Sequence, residues 1–173
     1  MTYKDILLCS EDDIKTYSNI NENTDGKYIS PAIFMAQKSD LEGVLGTKLV
    51  RKLQTLVGKN EIDNYENEHY KELLDDYVTD FLIYATIVRL IPIVQFKIGN
   101  AGNVISSDEK LINLSFEETF SLKDYYKNQA DYLKYRLQKF LIHNHNNYKE
   151  LSNYSIEEIK ANLKSAASCS INI

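Results

Sequence analysis

Residues 29–49, ISPAIFMAQKSDLEGVLGTKL, decide the fold of this chain. We expect Ser30 to cap a helix here, with Pro31 at its first position, where a missing backbone N–H costs nothing. Gly46 predicts the left-handed end of that helix, and the following segment predicts a second, shorter helix that Gly58 closes. Apolar residues that recur at helical spacing predict the buried face of the first helix: Ile33, Phe34, Leu41, Val44 and Leu45.

The rest of the chain also reads as mainly helical. A long, largely apolar helix is predicted over residues 66–91, with Pro92 ending or kinking it. Residues 94–105 alternate apolar and polar side chains around a Gly/Asn-rich turn, which indicates a β-hairpin or an extended loop. A capping box of Ser115 with Glu118 predicts the start of the last long helix, which should end at about residue 143. We therefore expect a mainly α fold, a bundle of about four to five helices.

The C-terminal residues, SAASCSINI, predict an extended tail over residues 165–173, separate from a helical domain over residues 1–164. Cys169, Ile171 and Ile173 occupy alternate positions, so one face of a strand would carry all three. Such a strand could add to a sheet edge in a neighbouring subunit. The alternative is a frayed terminus, which is the common state of chain ends.

Composition excludes several classes of function. The chain has 173 residues, a net charge of −5 and no dense Lys/Arg cluster, which argues against binding nucleic acid through its phosphates. Its most apolar window, residues 81–94, covers only 14 residues and predicts a buried helix rather than a membrane span. Cys9 and Cys169 lie near opposite ends without a CxxC pattern. They indicate free thiols, although the sequence leaves a disulfide open.

No catalytic, metal-binding or cofactor-binding motif is present. The chain lacks GxSxG, P-loop and GxGxxG patterns, and the i, i+2 spacing of His143 and His145 points their rings apart on a helix. Arg89 is the unusual charge, because it interrupts an apolar run and needs a partner when buried. It would pair within the core or face a partner subunit. An enzyme assembled around Arg89 or His69 is the weakest hypothesis, so we expect no enzymatic activity.

Tyrosine is the other compositional signal, with 13 tyrosines and no tryptophan. Tyr125, Tyr132 and Tyr135 lie on the predicted last helix, and tyrosine suits wet interfaces because its ring is buried while its hydroxyl stays paired. These three, with Arg89, are the candidate subunit-interface residues. An AT-biased genome would explain the tyrosines equally well.

The order of these elements resembles the head–tail connector (adaptor or head-completion) proteins of tailed bacteriophages. The resemblance rests on residues 29–53 (ISPAIFMAQKSDLEGVLGTKLVRKL), the long apolar helix, the excursion QFKIGNAGNVIS, the Tyr-rich last helix and the tail SCSINI. Within that group the chain is similar to ring proteins of crAss-like phages of gut Bacteroides. The likeness covers roughly residues 5–173, without a residue-specific motif to carry over.

The resemblance implies a structural virion protein at the head–tail junction, assembled in the host cytoplasm as a homo-oligomeric ring, commonly 12-fold. Its partners would be itself, the portal and other connector or tail proteins, with DNA passing through the ring without sequence-specific binding and no membrane involved. The reaching elements would then supply the candidate partner contacts: Phe96, Ile98, Asn100, Val104, Ile105, Cys169, Ile171 and Ile173. The alternative is a soluble helical interaction or scaffold protein that binds one partner through the Tyr-rich helix.

Overall fold

The computed structural model describes residues 6–18, 20, 24–99, 102–105, 115–151, 156–161 and 163. The α-helices are α1 (Glu11–Thr16), α2 (Gly26–Met35), α3 (Glu42–Gly58), α4 (Glu68–Leu73), α5 (Thr79–Gln95) and α6 (Phe116–Asn144). Residues 156–161 are also helical. The π-helical segments Ala36–Leu41 and Leu74–Val78 connect α2 to α3 and α4 to α5. Short 3-10 turns cover Tyr65–Asn67 and His145–Asn147. The predicted mainly α bundle is confirmed.

The strands β1 (Phe96–Gly99) and β2 (Gly102–Ile105) follow α5 directly. They pair antiparallel, with Phe96 opposite Ile105 and Lys97 opposite Val104. Residues 100 and 101, which join the strands, and the tail over residues 165–173 lie outside the described residues. The complete hairpin and the strand-like tail therefore stay predictions.

The helix starts follow local capping chemistry. Ser115 and Glu118 form the predicted capping box of α6, in which each side chain accepts from the other residue's backbone N–H. The start predicted at Ser30 is wrong, because the N-cap of α2 lies five residues earlier, at Asp25, which accepts from the N–H of Lys27. The earlier start also buries Ile29 completely on the core side of the helix.

The chain breaks at Gly46, as predicted, although the break lies inside α3. Gly46 has φ 75° and ψ 153°, so its φ is positive as expected while its ψ is extended rather than left-handed helical. The helix α3 ends at Gly58, as predicted, and Asn60, two residues later, has a positive φ of 55°. A Cβ at Gly58 would lie 2.5 Å from the Cδ1 of Ile6, so a larger residue would clash there.

A continuous helical run over residues 65–95 forms the centre of the bundle. Its second half, α5, packs chiefly against α6 and α2. The run is longer than predicted because it continues through Pro92 to Gln95. Of the two alternatives predicted for Pro92, the helix end is wrong and the kink stays a prediction. The length argument against a membrane span is also wrong, since Tyr65–Val94 is long and apolar enough to cross a bilayer. Half of its apolar window is buried inside the fold, as expected for a core helix.

A single apolar cluster unites the helices, and it includes the N-terminal segment. Cys9 is buried in this cluster as a free thiol, which confirms that prediction for one of the two cysteines. Burial, reinforced by the nearby Asp13 carboxylate, raises the pKa of Cys9 to about 12. Cys9 is therefore a protonated core residue at neutral pH.

Candidate interaction surfaces

The described residues contain no cluster of three or more His, Cys, Asp or Glu side chains that could hold a metal ion. The ring of His69 packs 4.2 Å from the ring of Tyr70 and 5.7 Å from that of Tyr148, centroid to centroid. The Nδ1 atoms of His143 and His145 face carbonyl oxygens three or four residues earlier. Each histidine thus has a local structural contact.

The acidic residues at the α4–α5 junction include two carboxyls that bind protons more readily than usual. Burial raises the pKa of Asp75 and that of Asp80. Arg136 lies 3.9 Å from Asp80 and opposes that shift. Both carboxyls line one cleft, together with Asp13 and Thr79.

Arg89 pairs with Asp40 within the chain. Its Nε and Nη2 atoms donate to the two carboxylate oxygens of Asp40, each at 2.8 Å, and this bidentate contact raises the pKa of Arg89. The two side chains are 29% and 34% exposed, so the pair lies at the edge of the core. Of the two roles predicted for Arg89, the structure shows this internal pairing, and a contact with a partner subunit stays a prediction.

The ion pair lies in a cleft of about 570 Å³ between the core helix and α6, which we call the basic cleft. Its floor is apolar and includes Phe81, Ala85, Val88 and Pro92. On the α6 side three lysines and one carboxylate line it: Lys123, Lys127, Lys134 and Asp131. Because Arg89 and Asp40 neutralise each other, the remaining lining carries a net charge of about +2 in a chain whose total is −5.

The outer side of α6 carries the three tyrosines predicted as interface residues. Tyr125, Tyr132 and Tyr135 are 56%, 61% and 41% exposed, while the neighbouring Tyr126 is buried in the core. Tyr125 and Tyr132 are seven residues apart and so share one stripe of the helix. We call these three residues the tyrosine face.

Sequence reasoning missed two exposed aromatic features. Phe116 and Phe120 are exposed at the start of α6, with their rings in edge-to-face contact at 4.5 Å. Tyr65 is 90% exposed in the 3-10 turn before α4. The signal for Tyr65 was present, because it is the one aromatic residue in an acidic loop, EIDNYENE.

The candidate partner contacts are only partly covered by the structure. The backbone register of the two strands includes Phe96, Ile98, Val104 and Ile105. Four further candidates lie outside the described residues: Asn100, Cys169, Ile171 and Ile173. Their role as partner contacts stays a prediction.

Comparison with known proteins gives one finding. The sequence profile of DUF6712, described as a family of unknown function, matches residues 41–165. That range extends from the start of α3 past the end of α6 and includes Tyr65, Arg89 and the tyrosine face. No curated protein and no solved structure matches the chain.

Proposed function

The chain belongs to the DUF6712 family, whose function is unknown, and we propose that it is a structural virion protein. In this proposal it is one subunit of an oligomeric ring that joins the portal to the tail and lines the DNA exit channel. The ring is 12-fold, forms at the head–tail junction, and is assembled in the host cytoplasm. The resemblance to phage connector proteins supplies the biological setting.

The observation that carries this proposal is the exposed aromatic surface on two sides of α6. Phe116 and Phe120 share the helical side of Lys123 and Lys127, since they are spaced by three or four residues. The tyrosine face lies on the other side. Exposed aromatic groups mark protein contacts, and a ring subunit needs surfaces for its two neighbours and for the portal.

The hairpin and the tail complete the proposed assembly. The segment over residues 94–105 continues from the end of the core helix, where it would reach the portal or the next tail component. The tail over residues 165–173 would add a strand to a neighbouring subunit. Partner contacts through both segments remain part of the proposal.

The charge of the chain supports a passive channel. The net charge of −5 opposes attraction between the ring as a whole and the phosphates of DNA, so DNA could slide through. The proposal includes neither a reaction nor a cofactor, and no membrane takes part.

The test combines the chain with the portal protein of the same genome. Both are purified, mixed and measured by light scattering and native mass spectrometry. We expect the chain, 20.0 kDa as a monomer, to join the portal as a ring of fixed stoichiometry. A chain that ignores the portal at every mixing ratio would overturn the proposal.

A matched pair of variants makes the test specific to α6. The double change Tyr125→Ser and Tyr132→Ser removes two exposed rings from the tyrosine face and should prevent ring formation. Tyr17→Ser removes an equally exposed ring at the end of α1 and should leave the ring intact. Equal behaviour of the two variants would remove the tyrosine face from the assembly.

The second candidate function is a soluble interaction or scaffold protein that binds one partner. The tyrosine face also favours this reading, because a single exposed aromatic stripe is enough to bind one protein. Capture of one partner at a 1:1 ratio, without self-association and without portal binding, would select it over the ring.

A further inference from the structure

The turn that carries Tyr65, residues 61–68, has a charge opposite to that of the basic cleft. We call it the acidic turn, because it holds four carboxylates and no basic residue: Glu61, Asp63, Glu66 and Glu68. Tyr65 projects from its centre and is 90% exposed. One of the carboxylates, Asp63, is paired with Lys71 of the same chain.

Backbone hydrogen bonds hold the acidic turn in shape. The N–H of Asn64 donates to the carbonyl of Glu61 at 3.2 Å, and the N–H of Asn67 donates to the carbonyl of Asn64 at 2.8 Å. The side-chain amide of Asn67 also donates to the carbonyl of Glu61, at 2.8 Å. A preordered turn loses little backbone entropy on binding, so Tyr65 is presented from a fixed backbone position.

The basic cleft offers what such an anchor needs. Its apolar floor can cover an aromatic ring, and its volume is in the range that accepts a small ligand or a large side chain. Its lysines have no ion-pair partner among the described residues: Lys123, Lys127 and Lys134. They are therefore open to carboxylates from another molecule.

The two surfaces cannot meet within one molecule. Tyr65 begins the continuous helical run, and Arg89 in the cleft lies 24 residues further along it. At 1.5 Å per residue this separates them by about 36 Å along the helix. A contact between them must join two copies, head to tail.

We propose that the acidic turn of one copy docks into the basic cleft of the next copy. The Tyr65 ring covers the apolar floor, while Glu66 and Glu68 face the cleft lysines. This docking would be the head-to-tail contact of the proposed ring. The docking itself does not depend on the ring; only the closure of successive contacts into a ring rests on the proposed function.

Complementation between two broken variants tests the contact. Tyr65→Ala removes the anchor, and Lys123→Glu with Lys127→Glu reverses the charge of the cleft. Self-association of the full chain is measured by sedimentation velocity up to about 1 mM, which detects dissociation constants up to about that concentration. We expect each variant to associate about tenfold or more weakly than the parent chain.

The mixture of the two variants gives the decisive result. The Tyr65→Ala chain keeps an intact cleft, and the charge-reversed chain keeps an intact turn. Their mixture should therefore form a 1:1 dimer that grows no further, because the remaining two surfaces are broken. Tyr17→Ala and Lys48→Glu change exposed residues elsewhere and should associate like the parent.

Three results would overturn the proposal. They are a parent chain that stays monomeric up to about 1 mM, a Tyr65→Ala chain that associates normally, and a mixture that forms no dimer. The portal assay distinguishes a failure of this contact from a failure of the proposed ring. A ring that forms on the portal with both broken variants would retain the ring and remove the contact. Head-to-tail association without portal binding would retain the contact and remove the ring.

Discussion

The break at Gly46 gives the sharpest stability prediction. Its φ of 75° with a ψ of 153° belongs to a region that is essentially restricted to glycine. A Cβ at this position would meet no atom within 4 Å, so Gly46→Ala introduces no clash and its cost is purely conformational. We expect the variant to lose about 1–3 kcal/mol of unfolding free energy.

Gly43 is the matched control, three residues earlier. It lies in the helical part of α3 without a positive φ, and a Cβ there also meets nothing within 4 Å. Gly43→Ala should therefore stabilise the protein by about 0.5–1 kcal/mol, since glycine weakens a helix interior.

Thermal and urea unfolding measure both effects. For a chain of this size each kcal/mol shifts Tm by about 2–4 °C, so Gly46→Ala should lower Tm by about 2–12 °C and Gly43→Ala should raise it by about 1–4 °C. Equal shifts of the same sign in both variants would refute the reasoning, because they would place the two glycines in similar backbone conformations.

Three further predictions concern buried or paired groups. In a Cys169→Ser background, Cys9 of the folded protein should resist a thiol reagent at pH 8 and should react once the protein is unfolded. Because the pKa of Cys9 is raised in the folded state, the free energy of unfolding should fall as pH rises above about 9. A Cys9→Ala variant should show a smaller fall. Rapid native labelling would contradict this. Tyr148→Phe removes a 2.9 Å hydrogen bond to a backbone carbonyl and should cost about 1 kcal/mol in urea unfolding, whereas an unchanged midpoint would show that the bond contributes nothing. Asp40→Asn leaves Arg89 without its carboxylate partner and should lower the free energy of unfolding by up to about 1 kcal/mol, because the pair is partly exposed. A double variant of both residues that loses no more stability than the single variant would support the pairing. Losses that add up would argue against it.

Local signals in the sequence predicted the parts of the fold that depend on local chemistry. The capping box of Ser115 and Glu118 and the positive φ at Gly46 each follow from a few neighbouring residues. The start of α2 was misplaced because Asp25-Gly26 suits a turn as well as a helix cap, and Ser30-Pro31 offered a second capping signal. Pro92 stays inside α5 because the packed core helix continues around it.

The surfaces depend on contacts between distant residues, and so the sequence alone did not reveal them. Arg89 and Asp40 are 49 positions apart, and no local pattern pairs them. The basic cleft exists only because α6 packs beside α5. The spacing of Lys123, Lys127 and Lys134 along one side of a helix was readable, but the apolar floor beneath it was not. Tyr65 could have been singled out as the one aromatic residue of an acidic loop, but its exposure could not, since Ile62 of the same loop packs against the core.

The decisive measurement is the mass of the complex between this chain and the portal of the same genome. We expect a ring of fixed stoichiometry, 12 copies on the portal, that is lost with the Tyr125→Ser and Tyr132→Ser variant and kept with Tyr17→Ser. A chain that remains at 20.0 kDa beside an unchanged portal peak would show that it is not a connector subunit.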